Sequence, residues 1–263
     1  MKASAAIAQV SAPLLGMPVF IAGSAVAEET YGITDAHDDI DLFTPSEQAL
    51  FIVVQRLLDN GYNLVERHDR VWERWQQYGF KHWHTNSLRL LAPGTPGNQI
   101  KVNVVYKLVD KHPTTSVSQV VESFDFGLLA SGYDLKTGTK HDFRAGLFPG
   151  LDPDGPLPLM PNKRANWRGG FISQYNGLRE ALRYAKYLNY GYDLSLVKTD
   201  LVEGWYNAAS YLTQRDDPDK QLLGRIYESL AGKVEADDID AITAVGGELL
   251  HMDELDAIMD ALE

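Results

Sequence analysis

The sequence contains no cysteine, so disulfide bonds and thiolate metal sites are excluded. It also lacks any run approaching the ~20 apolar residues that a membrane-spanning helix needs, and we expect no membrane partner. With these features absent, the fold must rest on an ordinary apolar core. The chain of 263 residues is long enough to bury such a core, as one large domain or two small ones.

Positive charge is scarce, because the sequence has 24 Lys and Arg residues against 36 Asp and Glu residues, which gives a net charge of −12. Proteins with a broad nucleic-acid-binding face neutralise phosphates with clustered Lys and Arg. The balance disfavours such a face and leaves room only for a local basic groove. Residues 235–263 carry no Lys or Arg. This acidic segment predicts two helices broken near Gly246-Gly247, which contact a basic partner, mimic nucleic acid, mediate assembly or form a solvated cap.

Apolar spacing and turn residues predict an α+β fold, a mixed sheet with flanking helices followed by a helical C-terminal region. In the first part we expect helices at 3–11, 46–60 and 115–122 and strands at 18–22, 39–43, 84–91, 100–109 and 123–131. The Gly- and Pro-rich stretch at 143–170 is interpreted as a loop. Beyond it we expect helices at 171–190, 194–214 and 218–232. The predicted organisation has three parts. A sheet domain at 1–135 is followed by a loop and helical region at 136–215 that completes the site of the sheet domain, and by an acidic helical appendage at 216–263.

Two carboxylates stand two positions apart in the predicted strand at 39–43. Residues i and i+2 of a strand share a face, so Asp39 and Asp41 should lie side by side. Carboxylates held close repel one another, and divalent cations such as Mg²⁺, which prefers oxygen ligands, compensate for that repulsion. Two such ions can clamp the attacking and leaving oxygens of a phosphoryl transfer. The alternative is a plain acidic strand or loop at the surface.

A third carboxylate from a neighbouring strand is needed for that use. Asn103 stands on its strand where such an acid could be sought, but it carries no charge. Asp125 lies between two phenylalanines in the predicted strand at 123–131, and strand alternation directs it opposite to them. We therefore expect Asp125 to be the third metal ligand.

Residues 20–24 (FIAGS) are interpreted as a strand entering a Gly-Ser turn that opens a helix. Backbone N–H groups at a helix start hold phosphate oxygens, and Gly23 permits their close approach. Ser24 adds a hydroxyl donor. The same region also resembles a secretory signal peptide cleaved after Ala25-Val26-Ala27. The apolar run is interrupted by Pro13, Gly16 and Pro18. These interruptions favour the strand and turn over the signal peptide.

The motifs FIAGS, DIDLF and SFDFG follow one another as an apolar strand with a Gly-Ser turn, an acidic-x-acidic strand and a later third acid. In this order the sequence resembles the DNA polymerase beta superfamily of nucleotidyltransferases. Thr85-Asn86-Ser87 and the helix end KYLNYGY at 186–192 are similar to motifs of a viral and phage branch, so the resemblance spans 18–192. Two departures are a longer interval from Gly23 to Asp39 and Tyr190 in place of the family's Arg.

The resemblance implies an enzyme, a metal-dependent nucleotidyltransferase that moves a nucleoside monophosphate from an NTP to an acceptor hydroxyl and releases pyrophosphate. It implies two Mg²⁺ or Mn²⁺ ions and a nucleotide site, with the metal ligands Asp39, Asp41 and Asp125 and the nucleotide contacts Gly23, Ser24, Asn86, Arg183 and Lys186. An RNA or tRNA 3′ end is the favoured acceptor, with a protein or small molecule left open, in a cytoplasmic phage or viral protein.

Two alternatives stay open beside that reading. Arg183 and Lys186 share roughly one face of a predicted helix, where they either neutralise a triphosphate or simply form a solvated face. The chain as a whole is an active enzyme, a catalytically inactive nucleotidyltransferase fold that serves binding or regulation, or a secreted acidic binding protein from which the segment up to Ala27 is removed.

Overall fold

The computed structural model describes residues 2–31, 39–69, 82–95, 99–109, 112–122, 124, 129, 131–142, 174–189 and 192–250. These residues fall into two compact units. The first holds the described residues up to Asp142, and the second holds those from Gln174 onward. The predicted three-part organisation draws finer boundaries and stays a prediction.

The first unit is built from short helices and a sheet. Its helices are α1 (Ala3–Ser11), α2 (Ser24–Tyr31), α3 (Glu47–Asp59) and α4 (Val117–Glu122), with a 3₁₀ turn at Ala12–Leu14. Its strands are β1 (Phe20–Ala22), β2 (Asp39–Thr44), β3 (Asn63–Asp69), β4 (His82–Leu91), β5 (Lys101–Val109), β6 (His112–Pro113), β7 (Ser131–Asp134) and β8 (Thr139–Asp142). The Ser46 side chain caps α3 by accepting from the Ala49 N–H at 3.1 Å.

The sheet is mixed, as the sequence predicts. The strand order is β3-β4-β5-β2-β1-β7-β8, with β6 paired to β5. Strands β2 and β5 run parallel, and the other pairs are antiparallel. The acidic strand β2 therefore lies in the interior of the sheet, between β1 and β5.

One face of the sheet carries the main core. Alternation along β2 sends Ile40 and Leu42 to this face, where both are fully buried. They pack with Ile21 of β1 and with apolar side chains of α1, α2 and α3, namely Ala6, Ile7, Val10, Ala25, Val26, Leu50, Val53 and Leu57. Burial of each large side chain contributes roughly 1.5–3 kcal/mol.

The opposite face is divided into a polar and an apolar part. The same alternation places Asp39, Asp41 and Phe43 on it in succession. Phe43 belongs to a second apolar cluster under α4, with Phe20, Ala22, Val105, Val117, Val120 and Val121. Gly132 is required there, because a Cβ at that position would lie 2.7 Å from Val117 Cγ1 and 2.8 Å from the Ile21 carbonyl oxygen.

The strand predicted at 123–131 is wrong where the structure describes it. Phe124 and Leu129 lie outside every strand, and β7 begins only at Ser131. The Phe124 N–H donates to the Val121 carbonyl at 3.2 Å, so the chain continues the turn of α4 instead of pairing with the sheet. The ring of Phe124 then packs edge-on against Phe43, with 5.8 Å between ring centroids. Local burial of the two rings outweighs the alternating pattern that predicts a strand.

The second unit is helical, as predicted. Its helices are α5 (Gln174–Asn189), α6 (Ser195–Thr213), α7 (Pro218–Glu235) and α8 (Ile239–Leu250). Asp217 caps α7 by accepting from the N–H groups of Asp219 and Lys220. The fully buried Trp205 and Tyr227 are among the largest side chains inside it.

The break predicted near Gly246-Gly247 is wrong, because α8 is helical throughout Ile239–Leu250. Each glycine costs about 1 kcal/mol relative to alanine in a helix. Packing of α8 against α5 and α7, with Ile242 fully buried, offsets that cost. In the part of the chain described here, no helix combines the length and the apolar character needed to cross a membrane.

Candidate active site

The Gly-Ser turn joins β1 to α2 as the sequence predicts. Gly23 has φ +102°, a backbone conformation that favours glycine. The first turn of α2 closes on it, since the Ala27 N–H donates to the Gly23 carbonyl at 3.2 Å. A Cβ at position 23 would lie 3.2 Å from Asp41 Oδ2. The absence of a side chain therefore brings the turn and this carboxylate together.

Asp39 and Asp41 share the polar part of the sheet face, and both are half-buried. Asp41 lies in register with Ala22 of β1 on one side and with Asn103 of β5 on the other. Asp39 lies in register with Lys101 of β5, which is exposed. The predicted side-by-side arrangement of the two acids is present.

Asp41 is also held by a hydrogen-bonded row of side chains. Asn103 Nδ2 donates to Asp41 Oδ1 at 2.9 Å. Arg89 of β4 donates from Nε to Asn103 Oδ1 at 3.0 Å and from Nη1 to Glu66 Oε2 at 2.6 Å. The Arg89–Glu66 end of the row is partly exposed, with side-chain exposures of 42% and 41%. The row connects the half-buried acid to a solvent-facing ion pair.

Helix α2 is fixed to the β7–β8 hairpin on its other side. The Tyr133 hydroxyl donates to both Glu29 carboxylate oxygens, at 2.8 and 2.6 Å, and Lys140 Nζ donates to Oε2 at 2.7 Å. Burial, followed by the hydrogen bond to Glu29, raises the pKa of Tyr133 well above its ordinary value. The tyrosine thus stays protonated as a donor, and the helix that begins at the Gly-Ser turn is anchored.

The donor set is consistent with a hard divalent cation at this place. Two carboxylates on one strand face are ligands that Mg²⁺ or Mn²⁺ accepts, with substrate phosphates and waters completing the shell. Because residue 23 has no Cβ, no side chain of the turn stands against Asp41 Oδ2. Within the described residues, however, no group of three or more His, Asp or Glu could hold a metal ion. Asp125, the predicted third ligand, lies outside those residues.

The other predicted nucleotide contacts belong to three different elements. Ser24 is the first residue of α2, directly after Gly23. Asn86 lies in β4, in register with Tyr106 of β5. Arg183 and Lys186 lie in α5 of the second unit, half-buried and exposed respectively. Their roles in nucleotide binding stay predictions.

Of this row, the sequence indicates Asn103 only as a position that lacks an acid, and no local pattern indicates Arg89 or Glu66. One signal was available: β5 alternates polar and apolar residues through Lys101 and Asn103, as β2 does through its two acids. Two strands with matching polar positions predict a shared polar face if they pair. The pairing itself joins positions 62 residues apart, which no local pattern reveals.

Comparisons with known proteins give only distant matches. No protein-family model matches the sequence, and no curated protein does. A Thermotoga maritima CCA-adding enzyme complexed with tRNA is 15% identical with a TM-score of 0.43, over 84% of this chain and 50% of the enzyme. A tRNA-processing enzyme with CTP is 13% identical with a TM-score of 0.45, over 91% of this chain and 57% of the enzyme.

A putative nucleotidyltransferase from H. pylori is 11% identical with a TM-score of 0.25, over 89% of this chain and 94% of that protein. This chain spans 50% and 57% of the length of the first two structures. Neither named organism is a virus or phage, so these matches lend no support to the viral and phage branch. TM-scores below 0.5 carry no inference about the activity of this chain.

Proposed function

We propose that the chain is a metal-dependent nucleotidyltransferase, which transfers a nucleoside monophosphate from an NTP to an acceptor hydroxyl. The single observation that carries the proposal is the approach of Gly23 to Asp41 Oδ2, where a Cβ would lie 3.2 Å from the oxygen. It brings a helix start suited to phosphate and a carboxylate pair suited to a divalent cation to the same place. Triphosphate and metal bind together in such a site because each carries the charge that the other needs.

Each residue of the site has a role in this proposal. Asp39 and Asp41 hold Mg²⁺ or Mn²⁺, which when bound neutralises the charge that develops on the transferred phosphate. Gly23 and Ser24 hold the triphosphate with backbone N–H groups and the serine hydroxyl. Arg183 and Lys186 add positive charge, and Asp125 is the proposed third carboxylate. Positioning and charge neutralisation supply most of the rate in this chemistry.

The net charge of the chain bears on which acceptor it uses. A charge of −12 disfavours a long nucleic-acid track, while the 3′ end of an RNA or tRNA requires only a local patch. We propose such an end as the acceptor. A protein hydroxyl or a small molecule is the alternative that the assay below separates from it.

A second candidate function has one observation in its favour. The neutral Asn103, and not an acid, lies in register with Asp41 on the parallel strand β5. A fold that binds nucleotide without transferring it could keep this arrangement. Metal-dependent nucleotide binding without transfer to any acceptor would favour this candidate.

The experiment offers each of the four NTPs, labelled on the α-phosphate, with Mg²⁺ or Mn²⁺. Acceptors are total RNA, purified tRNA and cell protein. The variant Asp39→Ala/Asp41→Ala should lose at least about 1,000-fold in rate, as expected when charge stabilisation is removed. The control Asp59→Ala/Asp216→Ala removes two exposed acids and should leave the rate unchanged. Equal transfer by the two double variants would contradict the proposal.

A further inference from the structure

A row of in-register residues crosses the polar face of the first unit. Ala22, Asp41, Asn103, Arg89 and Glu66 are consecutive partners on β1, β2, β5, β4 and β3. In-register neighbours on one sheet face are close enough for their side chains to interact. In this row each polar side chain beyond Ala22 is hydrogen-bonded to the next.

The direction of each hydrogen bond follows from chemistry. An asparagine amide has one acceptor oxygen and a donor nitrogen, and its orientation is decided by its partners. Arg89 can only donate, so the oxygen of Asn103 must face it, and the nitrogen must face Asp41. The distances of 3.0 Å to Arg89 and 2.9 Å to Asp41 agree with this orientation.

We propose that Asn103, oriented by Arg89, is a positioning residue that turns the Asp41 carboxylate toward its metal ion. The inference rests on the proposed function, because it assigns a task to Asp41 in that site. Asn103 engages Oδ1, and Oδ2 is the oxygen that faces the Gly23 turn. Oδ2 is therefore the atom we assign to the metal.

An amide suits this task better than an acid would. A carboxylate at position 103 would accept hydrogen bonds instead of donating one, and it would repel Asp41. The guanidinium of Arg89 carries only donors, so it fixes the orientation of the Asn103 amide. Glu66 contributes least, since its ion pair with Arg89 is partly exposed and screened by solvent.

This order of importance predicts graded effects on metal affinity. Side chains that orient metal ligands typically contribute about 10- to 100-fold to affinity. Asn103→Leu keeps the size of the side chain and removes the donor, so Mn²⁺ affinity should fall by about 10- to 100-fold. Arg89→Lys keeps a charged donor group but loses the planar fork, so its Mn²⁺ affinity should fall by less. Glu66→Gln still accepts from Arg89 and should stay within about threefold of wild type.

The test measures Mn²⁺ binding to the full chain by electron paramagnetic resonance of the free ion, without a turnover assay. The matched control is Asn60→Leu, which removes an exposed asparagine amide that donates to the Arg56 carbonyl at 2.8 Å. It should bind Mn²⁺ as wild type does. Thermal unfolding of each variant is followed in parallel, and Asn103→Ala serves as a second variant.

The outcomes separate this inference from the function on which it rests. Tight Mn²⁺ binding by wild type and Asn60→Leu, with weakened binding by folded Asn103→Leu, supports it. Unchanged binding by folded Asn103→Leu overturns the inference and leaves the proposed function standing. If both Asn103 variants fail to fold, the side chain is structural and the inference is overturned. If wild type itself binds no Mn²⁺, the proposed function falls and the inference with it.

Discussion

Gly23 meets two demands at once, a positive φ and the close approach of Asp41 Oδ2. The first demand alone is met by any glycine in a turn, such as Gly138, which has φ +70° and no atom within 4 Å of an added Cβ. Comparing the two positions separates backbone strain from the loss of the site. The pair therefore offers a test at the scale of one residue.

Gly23→Ala and Gly138→Ala should each destabilise the chain by about 1–2 kcal/mol, because alanine is strained at positive φ. Only Gly23→Ala places a methyl group against Asp41, so it alone should weaken Mn²⁺-dependent binding of a non-hydrolysable NTP. Urea unfolding gives the stabilities and isothermal titration gives the affinities. Equal nucleotide affinity in the two variants would show that the turn has no part in binding.

The sequence predicts where the two acids of β2 lie, but it does not predict the contacts that Asp41 makes. The side-by-side placement of Asp39 and Asp41 follows from strand alternation and is confirmed. The contacts of Asp41 with Asn103 and of Asn103 with Arg89 depend on register between separate strands. Register is set by the shared packing of the whole sheet, so the sequence alone does not predict these contacts.

At the scale of elements, α2 is the helix on which the proposed site depends. Its start was predicted from the Gly-Ser turn, but its anchor on the β7–β8 hairpin was not. Those two strands have four residues each, too few for a clear alternating pattern. Glu29 of α2 meets Tyr133 and Lys140 across more than 100 positions of sequence.

Tyr133→Phe should lower the free energy of unfolding by about 1.5 kcal/mol, since it removes a hydrogen bond to a carboxylate that Lys140 still pairs. Tyr62→Phe is the matched control, because its hydroxyl donates to a neutral carbonyl, that of Gln9, at 3.3 Å. Its loss should be smaller, about 0.5–1 kcal/mol. Urea unfolding measures both. A larger loss for Tyr62→Phe would contradict the anchoring of α2 by charge.

In the second unit, Asp237 connects two helices to the turn before α8. Its Oδ1 accepts from the Tyr184 hydroxyl and its Oδ2 from Lys198 Nζ, both at 2.7 Å. Desolvation opposes ionisation of Asp237, but the hydrogen bonds from Lys198 and Tyr184 outweigh it and lower the pKa of the carboxyl. Asp237 also has φ +54°, which asparagine tolerates as well as aspartate does.

Asp237→Asn should therefore remove charge without adding backbone strain. Because the pKa of Asp237 is lower in the folded chain than in the unfolded chain, where it is about 4, the ionised carboxyl stabilises the fold above that pH. This contribution is lost as the pH falls through the pKa of the folded state. Wild type should be the more stable at pH 7, and the difference should shrink below pH ~4. Thermal unfolding across pH 2–7 tests this, with Asp200→Asn on the exposed surface of α6 as control. A difference that grows on acidification would contradict it.

At the scale of the whole molecule, the fold class followed from the sequence but the strand order did not. Alternation and turn residues predict four of the eight described strands, β1, β2, β4 and β5, and the helical second unit follows from helical periodicity. The order β3-β4-β5-β2-β1-β7-β8 depends on which apolar faces are buried together. Likewise α8 continues through Gly246-Gly247 because of its packing on α5 and α7, which the sequence of one helix does not encode.

The proposed activity is transfer of the nucleotidyl group of an NTP, and the position of the label in the NTP distinguishes it from transfer of the terminal phosphate. Two reactions with the same NTP and acceptor preparation are compared, one labelled on the α-phosphate and one on the γ-phosphate. If the proposed transfer occurs, the α-label enters the acceptor and the γ-label is recovered in pyrophosphate. Transfer of the γ-label to the acceptor, or of neither label in the presence of Mg²⁺ or Mn²⁺, would contradict it.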